Sequence, residues 1–179
     1  MNVYIRKPEE GDCEEFIAKT KRSHAMHRPW VFPVSSEIGY RKFLEFSQKE
    51  RFRAFLVCRV SDGVMVGLVS LNEITEGCML SAMIGYWGVS GCEGMGYLTE
   101  GVSLVLDYAF NILSLHRIEA CVQPPNTKSI ALVKRLGMEF EGVSRKYLCI
   151  GGEWKDHERW SMLAEDWRAG GGSLKFAAI

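Results

Sequence analysis

A chain of 179 residues, 47% of them hydrophobic and 25% charged, is sized for one globular domain with a sizeable core. Lys plus Arg and Asp plus Glu each number 22, so the formal net charge of zero excludes a general attraction to nucleic acid or anionic membrane. No apolar run approaches the ~20 residues of a membrane helix and no charged-then-apolar leader opens the chain, so a soluble cytoplasmic protein is expected. Cys13, Cys58, Cys78, Cys92, Cys121 and Cys149 form no C-x-x-C pair, and His24 and His27 lie far from any pair with ligand spacing. Reduced thiols and no metal are the expectation.

Val3 to Arg6 reads as a short strand, and the acidic run Glu9-Glu10-Gly11-Asp12 as a helix start. His27-Arg28-Pro29-Trp30-Val31-Phe32-Pro33 is kept out of regular structure by its prolines, as an aromatic loop. Glu37 to Lys49 carries Ile38, Phe43, Leu44 and Phe46 at helical spacing. Two strands then flank the hairpin signal Asp62-Gly63, and a turn at Glu76-Gly77 leads to a third strand over Met79 to Trp87. That turn would place Met83 to Tyr86 opposite about Gly67 to Ser70.

A helix over Thr99 to Leu113 is the clearest in the chain, with Val102, Val105, Leu106 and Ala109 on one face. A strand over Arg117 to Gln123 follows, stopped by Pro124-Pro125, and then a helix from Thr127 to Leu136 closed by Gly137. Gly142 to Ile150 and Trp154 to Leu163 form a last hairpin about Gly151-Gly152. This order predicts an α/β domain over residues 1–167, with a mixed sheet, helices on both faces, and parallel strands either side of the long helix. Residues 168–179, rich in glycine, read as a flexible tail.

Between the third strand of the meander and the long helix lies Gly94-Met95-Gly96-Tyr97-Leu98-Thr99. A glycine turn running into a helix N-terminus offers backbone N–H groups and the positive dipole end to an anion such as a pyrophosphate. Thr99 stands where a dinucleotide fold needs its third glycine, and no Gly-Lys-Ser/Thr follows, so neither common nucleotide loop fits.

Together with Ile84-Gly85-Tyr86-Trp87 and Glu93, this loop resembles the acetyl-CoA-binding motif of the GNAT N-acetyltransferases. Leu115-His116-Arg117-Ile118-Glu119-Ala120, Pro125-Asn126-Thr127-Lys128-Ser129, Leu136-Gly137-Met138 and Gly152-Glu153-Trp154-Lys155-Asp156-His157 are similar to the branch that acetylates ribosomal-protein N-termini. The resemblance spans about residues 1–167. It implies a splayed sheet in which the backbone of Tyr86, Trp87, Gly88 and Val89 pairs with pantetheine. Gly94, Met95, Gly96, Tyr97, Leu98 and Thr99 would hold the pyrophosphate, and Asn126 and Ser129 would border the arm. Pro29 and Trp30 would border the acceptor cleft. Glu93 and Met95 depart from the family's usual polar or basic loop residues.

Many GNAT enzymes protonate the leaving thiolate with a tyrosine in the last helix; Val133 stands at that position here. The resemblance makes Ser129 the catalytic candidate instead, against the alternative of a hydroxyl that serves the first helical turn. No general base emerges from Glu73, Glu100, His116 or Tyr147. The expected activity is acetyl-CoA-dependent acetylation of a protein N-terminal α-amine. The alternatives are a small amine such as a polyamine, amino acid or antibiotic, or a non-catalytic acyl-CoA-binding module. Oligomeric state is open, with a homodimer one option.

Overall fold

The computed structural model describes residues 1–171. Its seven strands form one sheet in the order β1-β2-β3-β4-β5-β7-β6. β1 (Val3–Arg6), β2 (Arg53–Arg59), β3 (Met65–Thr75) and β4 (Ser81–Gly88) run as antiparallel neighbours. β5 (Arg117–Val122) lies parallel to β4, because the helix α4 (Tyr97–Asn111) carries the chain back between them. β6 (Glu139–Ile150) and β7 (Glu153–Leu163) close the sheet as a hairpin, with β7 inserted beside β5. Gly151 and Gly152 take φ of 61° and 85° at its tip, which only glycine adopts cheaply.

Helices cover both faces. On one, α4 and α5 (Thr127–Arg135) bury Val102, Val105, Leu106, Leu132 and Val133 against Val57, Val69, Ile118 and Trp160. On the other, α1 (Cys13–Arg22) and α3 (Glu37–Ser47) bring Phe16 and Tyr40 onto Leu56, Leu68 and Trp87. The charges of α1 suit its dipole, with Glu14 and Glu15 in the first turn and Lys19, Lys21 and Arg22 in the last. Ser36 caps α3 by accepting the Gly39 N–H at 3.2 Å.

Four expectations change. The helix expected from Thr99 begins at Tyr97, because Gly96 adopts the left-handed conformation (φ 79°) and serves as its N-cap. His27, expected in the loop, ends a short helix α2 (His24–His27). The β3–β4 register lies two residues from expectation, with Val69 opposite Tyr86 and Asn72 opposite Met83. Thr75 pairs with Ser81, so the connection is longer than a two-residue turn at Glu76-Gly77, and the register also shifts between Asn72 and Thr75, where Glu73 takes φ 51°. Finally, Arg168 and Ala169, expected in the tail, belong to a helix α6 (Ala164–Ala169). Its Trp167 donates to buried Asp107 of α4 at 2.7 Å, a long-range anchor that no local pattern announces. Residues 172–179 of the expected tail lie outside the described residues.

Gly101 lets α4 lie close on β2. An alanine there would gain about 1 kcal/mol of helix propensity. Its Cβ would, however, sit 2.6 and 2.8 Å from the two Cγ atoms of Val57, which is fully buried. Overpacking of a stiff β-branched neighbour costs about 1–3 kcal/mol. Gly101→Ala is therefore expected to lower the urea-unfolding free energy by about 1 kcal/mol, and a stabilised variant would show that α4 is free to lift from β2.

Candidate active site

β4 and β5 pair over only three positions, the last being Met83 opposite Glu119. Beyond it β4 follows β3 as far as Gly88, while β5 follows β7 as far as Val122. The two facing edges therefore diverge, and backbone groups in the middle of the sheet lack a strand partner. Val89 donates its N–H to Val66 at 2.9 Å, so alternation directs the backbone of Trp87 and Val89 to β3 and that of Tyr86 and Gly88 to the gap. Of the four residues expected to offer backbone to a ligand, two therefore address β3 instead. The Gly88 carbonyl already accepts from His27 Nε2 at 2.8 Å. The Trp87 side chain is core, met edge-on by Phe16 and His27 with ring centroids 5.4 and 5.0 Å away.

Gly94 and Gly96 both have positive φ, 74° and 79°, and a Cβ added at either would meet nothing within 4 Å. The space beside them and the N-terminus of α4 suits an anion approaching the backbone. Met95 is exposed, whereas Leu98 packs where Cβ atoms on Gly67 and Gly88 would otherwise stand. Thr99 Oγ1 accepts from Arg135 at 3.2 Å, which brings a guanidinium from the end of α5 to the first turn of α4. Arg135 was not legible as a site residue, since 36 positions separate the pair. Glu93 turns away from the loop's opening, its carboxylate accepting the Gly91 N–H at 2.6 Å. Its own backbone N–H and that of Gly91 hold this carboxyl below its ordinary pKa, with Lys128 and Arg22 adding a little.

Across the gap, Asn126 is the N-cap of α5, its Oδ1 accepting from the Ser129 N–H at 3.2 Å. Ser129 is thereby relieved of capping, and its hydroxyl lies 2.7 Å from the Tyr86 hydroxyl, each able to donate to the other. Burial pushes the Tyr86 phenol up to about 12, the bond to Ser129 opposing it. Tyr86 was expected to act through its backbone, and its side-chain partner Ser129 became visible only when α5 folded across β4.

On the opposite face, the loop after α2 lies over the end of β5, where the Trp30 carbonyl accepts from Gln123 at 3.4 Å. Pro29 is exposed beside it. Glu119, at the vertex of the divergence, is held by Arg117 at 2.8 Å and by Arg159. The other ionisable candidates are engaged with partners away from the gap. His116 faces Glu165 at 3.3 Å, Glu100 accepts the Asn2 N–H at 2.8 Å, and Glu73 pairs with Arg51 at 3.2 Å. Tyr147 lies under Arg159, 4.9 Å from its guanidinium carbon. Among the described residues no group of three His, Cys, Asp or Glu is placed to hold a metal, and no helix is long and apolar enough to cross a membrane.

Residues 2–139 match the family model described as the acetyltransferase (GNAT) domain. The chain belongs to the GNAT family. It is 34% identical over 172 residues to the probable N-acetyltransferase YjcK of Bacillus subtilis, covering 92% of this chain and 95% of that one. It is also 30% identical over 106 residues to the [ribosomal protein uS5]-alanine N-acetyltransferase of Escherichia coli, covering 59% and 55%. Mycobacterium smegmatis RimJ, solved in complex with CoA-disulfide, superposes with a TM-score of 0.83 at 28% identity, covering 94% and 89%. The spermidine N(1)-acetyltransferase of Escherichia coli is 23% identical over 172 residues, covering 91% and 87%. This GNAT chain is thus an N-acetyltransferase with the mixed α/β sheet of its family.

Two rings of this GNAT fold give it a pH dependence. Burial lowers His27 and His157 from the ordinary value of 6.5, and their bonds to the Gly88 and Lys155 carbonyls only partly offset it. Between the lowered folded values and 6.5 the unfolded chain holds more protons, so stability rises with pH through that window and levels above it. Unfolding free energy is expected to fall as pH drops from 7 to 5, with both ring titrations below 6.5 by NMR; midpoints above 6.5 would contradict their burial.

Proposed function

We propose that the protein transfers the acetyl group of acetyl-CoA to the N-terminal α-amine of a protein or peptide. The observation that carries this reading is the Tyr86–Ser129 hydroxyl pair at the mouth of the β4–β5 gap, 2.7 Å apart. Acetyl-CoA supplies an activated thioester: the amine nitrogen bonds to its carbonyl carbon as the carbon–sulfur bond breaks, and the proton the nitrogen loses ends, through solvent, on the departing sulfur to give the CoA thiol. Gly94, Gly96 and the first turn of α4 would take the pyrophosphate, aided by Arg135. The gap-facing backbone of Tyr86 and Gly88 would align the pantetheine.

The hydroxyl pair receives the sulfur. A thiol near 8.5 and a phenol near 12 differ by about 3.5 pKa units, so full proton transfer from Tyr86 would be uphill by about 5 kcal/mol. The pair is therefore suited to donating a hydrogen bond to the developing thiolate, with Tyr86 holding the Ser129 hydroxyl in line. A charge-assisted bond contributes about 1.5–3 kcal/mol, which corresponds to about 10- to 100-fold in rate. Ser129→Ala should lower kcat by that factor; Asn126 still caps α5, so any loss of stability should stay near the ~1 kcal/mol of one hydrogen bond to Tyr86. Tyr86→Phe should lower kcat less, and unchanged turnover in both variants would remove the pair from catalysis.

The charges present support this acceptor. About a tenth of an α-amine with pKa 7.7–8.0 is neutral at pH 7, against less than a thousandth of a lysine at 10.4. A site whose candidate carboxylate, Glu119, is tied to two arginines suits the amine that needs less help. The likeness to the uS5-alanine enzyme favours the same class. The spermidine relatives favour a polyamine, but Lys21 and Arg28, close to the loop that carries Pro29 and Trp30, would repel one. Given acetyl-CoA and peptides with a free N-terminus and an internal lysine, the enzyme should acetylate the α-amine, located by tandem mass spectrometry. Preference for spermidine over every peptide would refute this acceptor.

Acetyl-CoA should also raise the melting temperature, by the equivalent of about 2.7 kcal/mol at 100 times its Kd. Gly96→Asp, which adds both charge and a strained side chain at φ 79°, should abolish that shift while the far-UV spectrum persists. An undiminished shift would place the pyrophosphate elsewhere.

A further inference from the structure

On the sheet face away from α4 and α5, the side chains change character where the gap begins. Leu68 and Trp87, opposite each other on β3 and β4, are apolar and lie under α1 and α3. The next two rows are polar on β3. Ser70 stands opposite Gly85, and Asn72 opposite Met83, which in turn pairs with Glu119 at the vertex of the divergence. Strand alternation puts Ser70, Asn72 and Gly85 on this one face, because Val69, Leu71 and Ile84 between them belong to the core under α4 and α5. Ser70 is buried and Asn72 half-buried.

Gly85 contributes no side chain here, and the Ser70 and Asn72 side chains fill the place. A Cβ at Gly85 would lie 3.2 Å from both Asn72 Nδ2 and Ser70 Oγ. Asn72 is held in one orientation, its Nδ2 donating to the Met83 carbonyl and to Ser70 Oγ, each at 3.2 Å. A carbonyl can only accept, so the amide cannot be turned round, and both of its hydrogens are used. Among the described residues, Oδ1 is left with a single possible donor, the Ser70 hydroxyl at 3.5 Å. That hydroxyl has the Gly85 carbonyl at the same 3.5 Å as an alternative. Oδ1, an oxygen able to accept two hydrogen bonds, is thus largely unengaged beside the closed end of the gap.

We propose that Asn72 Oδ1 accepts a hydrogen bond from the attacking amine, a role that rests on the acetyl-transfer site proposed above. Pantetheine that runs from the N-terminus of α4 past Gly88 and Tyr86 carries its thioester toward the end of the gap where Met83 and Glu119 still pair. The amine meets it from the face of Ser70, Gly85 and Asn72, because α4 and α5 occupy the other. One N–H of the neutral amine donates to Oδ1, which leaves the nitrogen lone pair free to address the thioester carbonyl carbon. As the nitrogen–carbon bond forms, the nitrogen becomes cationic and its bond to Oδ1 strengthens, so the transition state gains more than the ground state. The amide takes no proton; that proton leaves through solvent for the sulfur. Glu119, in the same row, is paired with Arg117 and Arg159 and so does not hold the amine as an unreactive ammonium.

Steady-state kinetics of Asn72→Ala in the full chain test this. The acceptor is whichever amine the wild-type enzyme acetylates, so a failure of the α-amine reading is seen separately in the wild type. In the variant, kcat/KM for the amine should fall about tenfold or more, the loss of one hydrogen bond to a nitrogen gaining charge, while KM for acetyl-CoA stays within about twofold. Asn72→Thr, whose branched side chain suits a strand and whose hydroxyl stops short of the amide oxygen, should show the same split if the alanine variant fails to fold. Unchanged amine kinetics in a folded variant would overturn the role. So would an equal loss in acetyl-CoA affinity and in amine kcat/KM, the mark of a residue that only braces β3 on β4.

Discussion

Everything about the site depends on β4 and β5 ceasing to pair after Met83 and Glu119. A parallel pair in mid-sheet that kept its ladder would bury its own N–H and C=O groups against each other and leave nothing for a ligand. The divergence is held from both sides. β3 grips β4 through the Val89 to Val66 bond, and β7 grips β5 as far as Val122 opposite Glu158. Each strand is thus kept straight by its outer neighbour, and the inner edges separate. One polar group of the gap, the Gly88 carbonyl, is already satisfied by His27.

The helices then bring chemistry to that gap from either side. α4 presents a bare N-terminus because its N-cap is a glycine with no side chain to fold back. α5 swings Ser129 onto Tyr86 and Arg135 onto Thr99, so one helix contacts both the hydroxyl pair and the anion loop. The charge that looked adverse in the loop, Glu93, is directed at a backbone amide of its own turn. Net charge is zero over the whole chain, but it is not evenly spread. Lys19, Lys21 and Arg22 gather at the end of α1, while Glu119 and Glu141 interleave with Arg117 and Arg159 on the far strands.

Much of this was legible beforehand because it is local. The Asp62-Gly63 and Gly151-Gly152 turns, the apolar stripe of α4 and the closure of α5 by Gly137 at φ 80° each follow from a few adjacent residues. The motif series from Gly94 to Ser129 could be read for the same reason, since strand, turn and helix N-terminus lie consecutively. The β3–β4 register could not, because a connection longer than the turn signal and an irregularity near Glu73 are decided by which side chains reach the core.

The amino-acid sequence by itself determined the succession of elements, the glycine loop and the family, all properties of neighbouring residues and their spacing. Only the tertiary structure decided which atoms meet. Tyr86 and Ser129, Thr99 and Arg135, His27 and Gly88, and Asp107 and Trp167 are separated by 36 to 61 positions along the chain. Such pairs are fixed by how helices pack on a twisted sheet, a global balance of burial and sterics that leaves no periodic trace in the chain.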